Sequence, residues 1–107
     1  MYEIVRYQRE DGGEPYTVWF RGLRDAAAKM SIARRLRRVE TGNFGDSKPV
    51  GEGVSELRID TGPGYRVYFG MRGTSIVILL CGGDKSSQDS DIVKAKAFWA
   101  DWKRRQP

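Results

Sequence analysis

Residues 53–70 read GVSELRIDTGPGYRVYFG and decide the fold of this chain. On each side of the Gly-Pro-Gly turn, polar and apolar residues alternate, which is typical of strands with one buried face. We therefore predict strands over Val54–Asp60 and Tyr65–Met71, joined as a hairpin.

Two arginines are predicted to face each other across this hairpin. Aligning the apolar residues of the two strands brings Arg58 opposite Arg66 on the polar face. Like charges directly opposite each other cost about 0.2–1 kcal/mol, and a bridging anion removes that cost. The two arginines are therefore either the two halves of an anion site or a pair of surface charges that the acids Glu56 and Asp60 neutralise.

The remaining segments predict one small α+β domain over residues 1–107, with two N-terminal helices packed on a mostly antiparallel sheet. The order is β-α-α-β-β-β-α. Besides the hairpin, the predicted elements are a strand at Tyr2–Tyr7, a short helix begun by Glu14-Pro15, a helix capped by Asp25 that runs to about Glu40, a loop over Asn43–Glu52, an apolar interior strand at Thr74–Cys81 that Gly82-Gly83 ends, and a helix from about Asp89.

The composition favours a polyanionic partner. The chain has 107 residues, 19 Lys and Arg against 14 Asp and Glu, and a net charge of +5. It has no histidine, so other side chains or the substrate would have to transfer protons.

A lone cysteine rules out an internal disulfide. We find no signal peptide or membrane span, and we expect a cytoplasmic protein that needs no cofactor, metal or membrane.

Further candidate ligands for an anion lie outside the hairpin. Tyr68, on the arginine face, is a candidate for stacking on a nucleobase. Lys85 follows the apolar strand in GGDKSSQ, which lacks the glycine that a phosphate loop needs directly before its lysine. A nucleoside-triphosphate loop is therefore not expected. The segment is either a capped start of the last helix or a turn that places Lys85 beside the arginines, in contact with a phosphate. The second helix carries four more arginines, which form either a nucleic-acid patch or a solvated helix face: Arg34, Arg35, Arg37 and Arg38.

Two blocks of the sequence, ELRIDTGPGYRVYF and LLCGGDKSSQDSDIVKAKAF, resemble the HigB-like addiction-module killer proteins of the RelE/ParE toxin superfamily. The resemblance spans almost the whole chain and implies a RelE-like fold. It implies the toxin of a type II toxin–antitoxin system, an mRNA interferase that cuts mRNA on the ribosome and inhibits translation. The implied partners are mRNA, the ribosome and a helix-turn-helix, HigA-like antitoxin.

The resemblance also assigns roles to residues. Arg58 and Arg66 match the superfamily's basic positions on the strands before and after the hairpin turn, and Lys85 matches the polar position just after the last strand. These three are the expected catalytic residues of an endoribonuclease. The arginines are expected to hold the scissile phosphate, Lys85 to transfer a proton, and Tyr68 to orient a base. Related ParE toxins instead bind DNA gyrase, because a fold does not determine its target. A gyrase-binding toxin and a basic RNA-binding module are therefore the alternatives.

Overall fold

Five strands form one mixed sheet in the order β1-β5-β4-β3-β2, and three helices cover its two faces. The computed structural model describes residues 1–107. In chain order, the elements are β1 (Glu3–Arg6), α1 (Pro15–Gly22), α2 (Ala26–Glu40), β2 (Ser47–Gly51), β3 (Val54–Ile59), β4 (Tyr65–Arg72), β5 (Ile76–Asp84), a 3-10 turn (Lys85–Ser87) and α3 (Gln88–Arg104).

The predicted α+β class is confirmed, but the predicted order of elements is wrong by one strand. The segment 43–52, expected to be a loop, contains β2, so the order is β-α-α-β-β-β-β-α. This strand lies at the edge of the sheet beside β3 and is interrupted by a bulge between Pro49 and Gly51. Edge strands tolerate proline, glycine and charge, which is why the composition of β2 resembles that of a loop.

The predicted end of β5 is also wrong, because the strand continues through both glycines. Gly82 pairs with Val67 and Gly83 with Arg66 of β4. The indole of Trp19 packs where a side chain on Gly82 would lie. Glycine therefore does not break this strand. It makes room for the helices that pack closely against it.

The sheet separates two hydrophobic cores. Helices α1 and α2 pack on the face that carries Leu57, Val67 and Leu79. Helix α3 packs on the opposite face through Ala95 and Trp99. Strand β1 is parallel to β5, whereas all the other neighbouring strands are antiparallel. None of the helices combines the length and apolar character that crossing a membrane requires.

Side-chain caps begin two of the helical segments. The carboxylate of Asp25 accepts hydrogen bonds from the backbone N–H groups of Ala27 and Ala28, as the sequence predicted. Asp84, the last residue of β5, accepts from the N–H of Ser86 and begins the 3-10 turn. The chain therefore passes directly from the interior strand into α3 and brings the start of α3 beside the β3–β4 hairpin.

Candidate functional site

The predicted register of the β3–β4 hairpin is confirmed. Leu57 pairs with Val67, and Arg58 lies directly opposite Arg66. Both arginines project from the face that α3 covers, because they alternate with residues of the α1–α2 core. The side chain of Arg66 is only 12% exposed and that of Arg58 is 34% exposed. The two cations are therefore partly withdrawn from water, which strengthens their interaction with any bound anion.

A buried carboxylate lies between the two arginines. The side chain of Glu56 is 0% exposed, and one of its oxygens lies 3.8 Å from Nε of Arg58. Its other oxygen lies 3.8 Å from Nε of Arg66. Asp46 makes a further ion pair, at 3.2 Å, with Nη2 of Arg58. Neutralisation by Glu56 was one of the two interpretations of the sequence, but Asp46 and not Asp60 provides the second carboxylate.

The start of α3 completes this corner of the molecule. The amide nitrogen of Gln88 donates a hydrogen bond of 2.9 Å to Glu56. Lys85 is exposed on the preceding turn. A methyl group added to Gly64 would lie 3.6 Å from Cβ of Lys85 and 3.9 Å from Nη1 of Arg66, so both side chains border the same space. Arg66 therefore neighbours both Arg58, its partner across the hairpin, and Lys85 on the turn before α3.

Tyr68 is the predicted contact that the structure contradicts most clearly. Its side chain is 0% exposed and belongs to the core beneath α3. Burial, followed by the charges of Glu56 and Asp91, raises the pKa of its hydroxyl well above 10.0. The prediction from strand alternation was correct about the face, but it carried no information on the helix that covers that face. Tyr68 is a core residue and is inaccessible to a nucleobase.

The arginines of α2 do not join the hairpin pair, because α2 packs on the other face of the sheet. They line a separate groove with Ile59, Asp60 and Thr61. Three of the four are exposed and remain candidates for RNA contact: Arg34, Arg37 and Arg38.

Arg35 differs from its three neighbours on α2. Its terminal nitrogens donate to the backbone carbonyls of Phe44, Asp46 and Arg58. Burial, and then the charge of Arg38, lowers its pKa. These hydrogen bonds tie α2 to the 44–46 segment and to the end of β3, so Arg35 has a structural role that its three neighbours lack.

Cys81 lies in the core beneath α3 and is 6% exposed. Burial, and then the charge of Asp91, raises the pKa of its thiol to about 12. The thiol is therefore protonated and inert at neutral pH. Asp91, in turn, accepts a hydrogen bond of 2.5 Å from Ser87 and packs against Gly83, which ties α3 to β5.

The fold and the site define a small α+β domain in which two arginines face each other over a buried glutamate, with a lysine at the same corner. Over 78 residues the chain is 54% identical to an uncharacterized protein of Haemophilus influenzae, a match that covers 73% of this chain and 79% of that protein. The chain belongs to the same family as that protein. No family model matches the chain.

Proposed function

We propose that this protein is the toxin of a type II toxin–antitoxin system and that it cuts mRNA on the ribosome. The pairing of Arg58 with Arg66 across the hairpin, with Lys85 beside them, is the observation that carries the proposal. These residues come from the two sequence blocks that resemble HigB-like toxins of the RelE/ParE superfamily. Three cations at this corner outnumber its two carboxylates, the buried Glu56 and the exposed Asp46, and this excess of positive charge suits a phosphodiester and its more highly charged transition state.

The reaction that fits these residues is attack of a ribose 2′-oxygen on the adjacent phosphorus. The 2′-hydroxyl gives its proton to solvent water as the new bond from the 2′-oxygen to phosphorus forms. The bond from phosphorus to the 5′-oxygen breaks, which leaves a 2′,3′-cyclic phosphate, and the 5′-oxygen takes up a proton. Arg58 and Arg66 stabilise the charge that develops on the phosphorane, since guanidinium groups remain protonated and grip phosphate through paired N–H groups. The ammonium group of Lys85 donates the proton to the leaving 5′-oxygen. Alignment of the substrate on the ribosome supplies much of the rate through positioning.

A helix-turn-helix antitoxin is the proposed protein partner, and the cytoplasm is the proposed location. The exposed arginines of α2 give the chain a second basic surface for RNA. Because they lie on the opposite face of the sheet from the hairpin pair, we assign them to binding and not to cleavage. Binding through Arg34, Arg37 and Arg38 would weaken as salt increases, because each phosphate neutralised releases counterions.

The test is brief induction of the protein in bacteria, with growth and the 5′ ends of mRNA measured in parallel. The expected result is growth arrest, with new 5′ ends within translated regions, and rescue when the partner is co-expressed. Arg66→Ala protein, which we expect to be inactive, is the matched control when it is produced at the same level. Unimpaired growth with abundant soluble protein contradicts the proposal. Growth arrest with intact mRNA and a DNA-damage response would instead indicate a toxin that binds gyrase.

A further inference from the structure

The carboxylate of Glu56 is the one charged group of this corner that no anion could reach. It is 0% exposed, and its two oxygens are divided between the arginines, one 3.8 Å from each Nε. Burying a carboxylate costs several kcal/mol unless it is well paired, and apolar residues often replace buried ion pairs without loss of stability. The presence of a glutamate here therefore calls for an explanation beyond the stability of the sheet.

The geometry indicates that Glu56 orients the two guanidinium groups by electrostatic attraction, without hydrogen bonds to them. At 3.8 Å the attraction is electrostatic, since the distance exceeds that of a hydrogen bond, and the Nε atoms of Arg58 and Arg66 have no hydrogen-bond partner in the protein. The carboxylate faces the Nε edge of each guanidinium. Nη1 of Arg66 lies instead on the side of Gly64 and Lys85, where the chain is open to solvent.

Gln88 fixes the orientation of that carboxylate. Its side-chain amide donates a hydrogen bond of 2.9 Å to Oε2 of Glu56, the same oxygen that faces Arg66. Gln88 is the first residue of α3, and Glu56 lies in β3, so this hydrogen bond joins residues 32 positions apart in the chain. It therefore connects the two sequence blocks that provide Arg58, Arg66 and Lys85.

We infer that Glu56, held by Gln88, is a positioning residue that aims Arg58 and Arg66 and sets the net charge of the site. This inference rests on the proposed function for its meaning in catalysis. Its physical content is that removing the Glu56 charge strengthens the binding of simple anions and impairs cleavage, because the two guanidinium groups are then neither neutralised nor aligned. Loss of a merely structural glutamate would lower stability only.

The experiment compares the wild-type protein with Glu56→Gln, which keeps the shape and removes the charge. Inorganic phosphate is titrated while the Nε–Hε signals of the arginines are followed by NMR, and mRNA cleavage is measured after normalising for folded protein. We expect phosphate to bind about tenfold tighter to Glu56→Gln at low salt, because the variant lacks one negative charge that repels the anion from several Å away. We expect the arginine signals to shift and cleavage to fall at least tenfold.

A second variant and a control keep the test decisive. Gln88→Ala leaves the carboxylate charge in place, so we expect phosphate affinity within about twofold of wild type, altered arginine signals and cleavage reduced several-fold. Glu52→Gln removes an exposed carboxylate that pairs with Lys96, and we expect no change in any readout. If Glu56→Gln does not fold, Gln88→Ala decides the question.

The inference is overturned if folded Glu56→Gln matches wild type in phosphate affinity, arginine signals and cleavage. If Glu56→Gln does not fold, the inference is overturned when Gln88→Ala matches wild type in its arginine NMR signals and in cleavage. Failure of the proposed function has a different signature. In that case the wild-type protein cuts no mRNA, while the phosphate and NMR readouts still respond to Glu56→Gln.

Discussion

Replacement of Arg66 by alanine is the most informative perturbation of this protein. Arg66 is largely withdrawn from solvent, faces Arg58 across the hairpin and lies 3.8 Å from a fully buried carboxylate. If it stabilises a transition-state phosphate, its loss should lower the cleavage rate about 10²–10³-fold, by analogy with the loss of one oxyanion-hole donor. Arg66→Lys should also be strongly impaired, because a point charge cannot reproduce the paired grip of a guanidinium on phosphate.

The same change also has a cost in stability, which the structure bounds. Breaking a well-made buried ion pair costs about 3–5 kcal/mol. Here the pair is longer than a hydrogen bond, and Glu56 keeps two other partners, Arg58 and Gln88. We therefore expect a loss of about 1–3 kcal/mol, which lowers Tm by about 4–8 °C for each kcal/mol in a domain of this size. Most molecules should remain folded at growth temperature.

The assay is induction in bacteria with mapping of mRNA 5′ ends, normalised to the amount of folded protein. Arg72→Ala is the matched control, since it removes an exposed arginine of the same strand, about 20 Å away along β4. We expect this control to retain full toxicity. A folded Arg66→Ala protein that arrests growth and cuts mRNA at the wild-type rate would refute the assignment of the hairpin as the active site.

Four further predictions test the packing around the site. Arg35→Ala should lower the free energy of unfolding by about 1–3 kcal/mol, and with it Tm, because three backbone carbonyls lose their hydrogen-bond donor. An unchanged Tm contradicts this prediction. Cys81 should resist a thiol reagent at pH 8 in the native protein and react after denaturation, since burial raises its pKa to about 12. Gly83→Ala should destabilise the fold by about 1–3 kcal/mol or more, measured by urea denaturation, because the added methyl collides with the carboxylate of α3 packed there. The hydroxyl of Tyr7, and then Arg105, lowers the pKa of Asp101 below 3.8, so its contribution to stability is present above that pH and is lost as the pH falls through the lower folded value; Asp101→Asn should therefore flatten the fall of Tm with acid.

The alternation of residues along the hairpin by itself determined the pairing of the two central strands. Because side chains alternate between faces with a period of two, matching the apolar residues leaves few registers, and the one that pairs Arg58 with Arg66 is observed. Local chemistry likewise determined the cap at Asp25, because a carboxylate before a helix satisfies free N–H groups wherever the helix packs. These features depend on contacts that are close in sequence or on strict periodicity.

Other features were decided only when distant segments came together. Alternation assigns Tyr68 to a face, but only the return of α3 over that face shows that it is buried. The polar segment 47–51 becomes a strand because the edge of β3 offers it hydrogen bonds, and Gly82-Gly83 stays in β5 because helices pack against it. The buried Glu56 is the clearest case: its partners come from β3, β4 and α3, and its charge is tolerated only where all three meet.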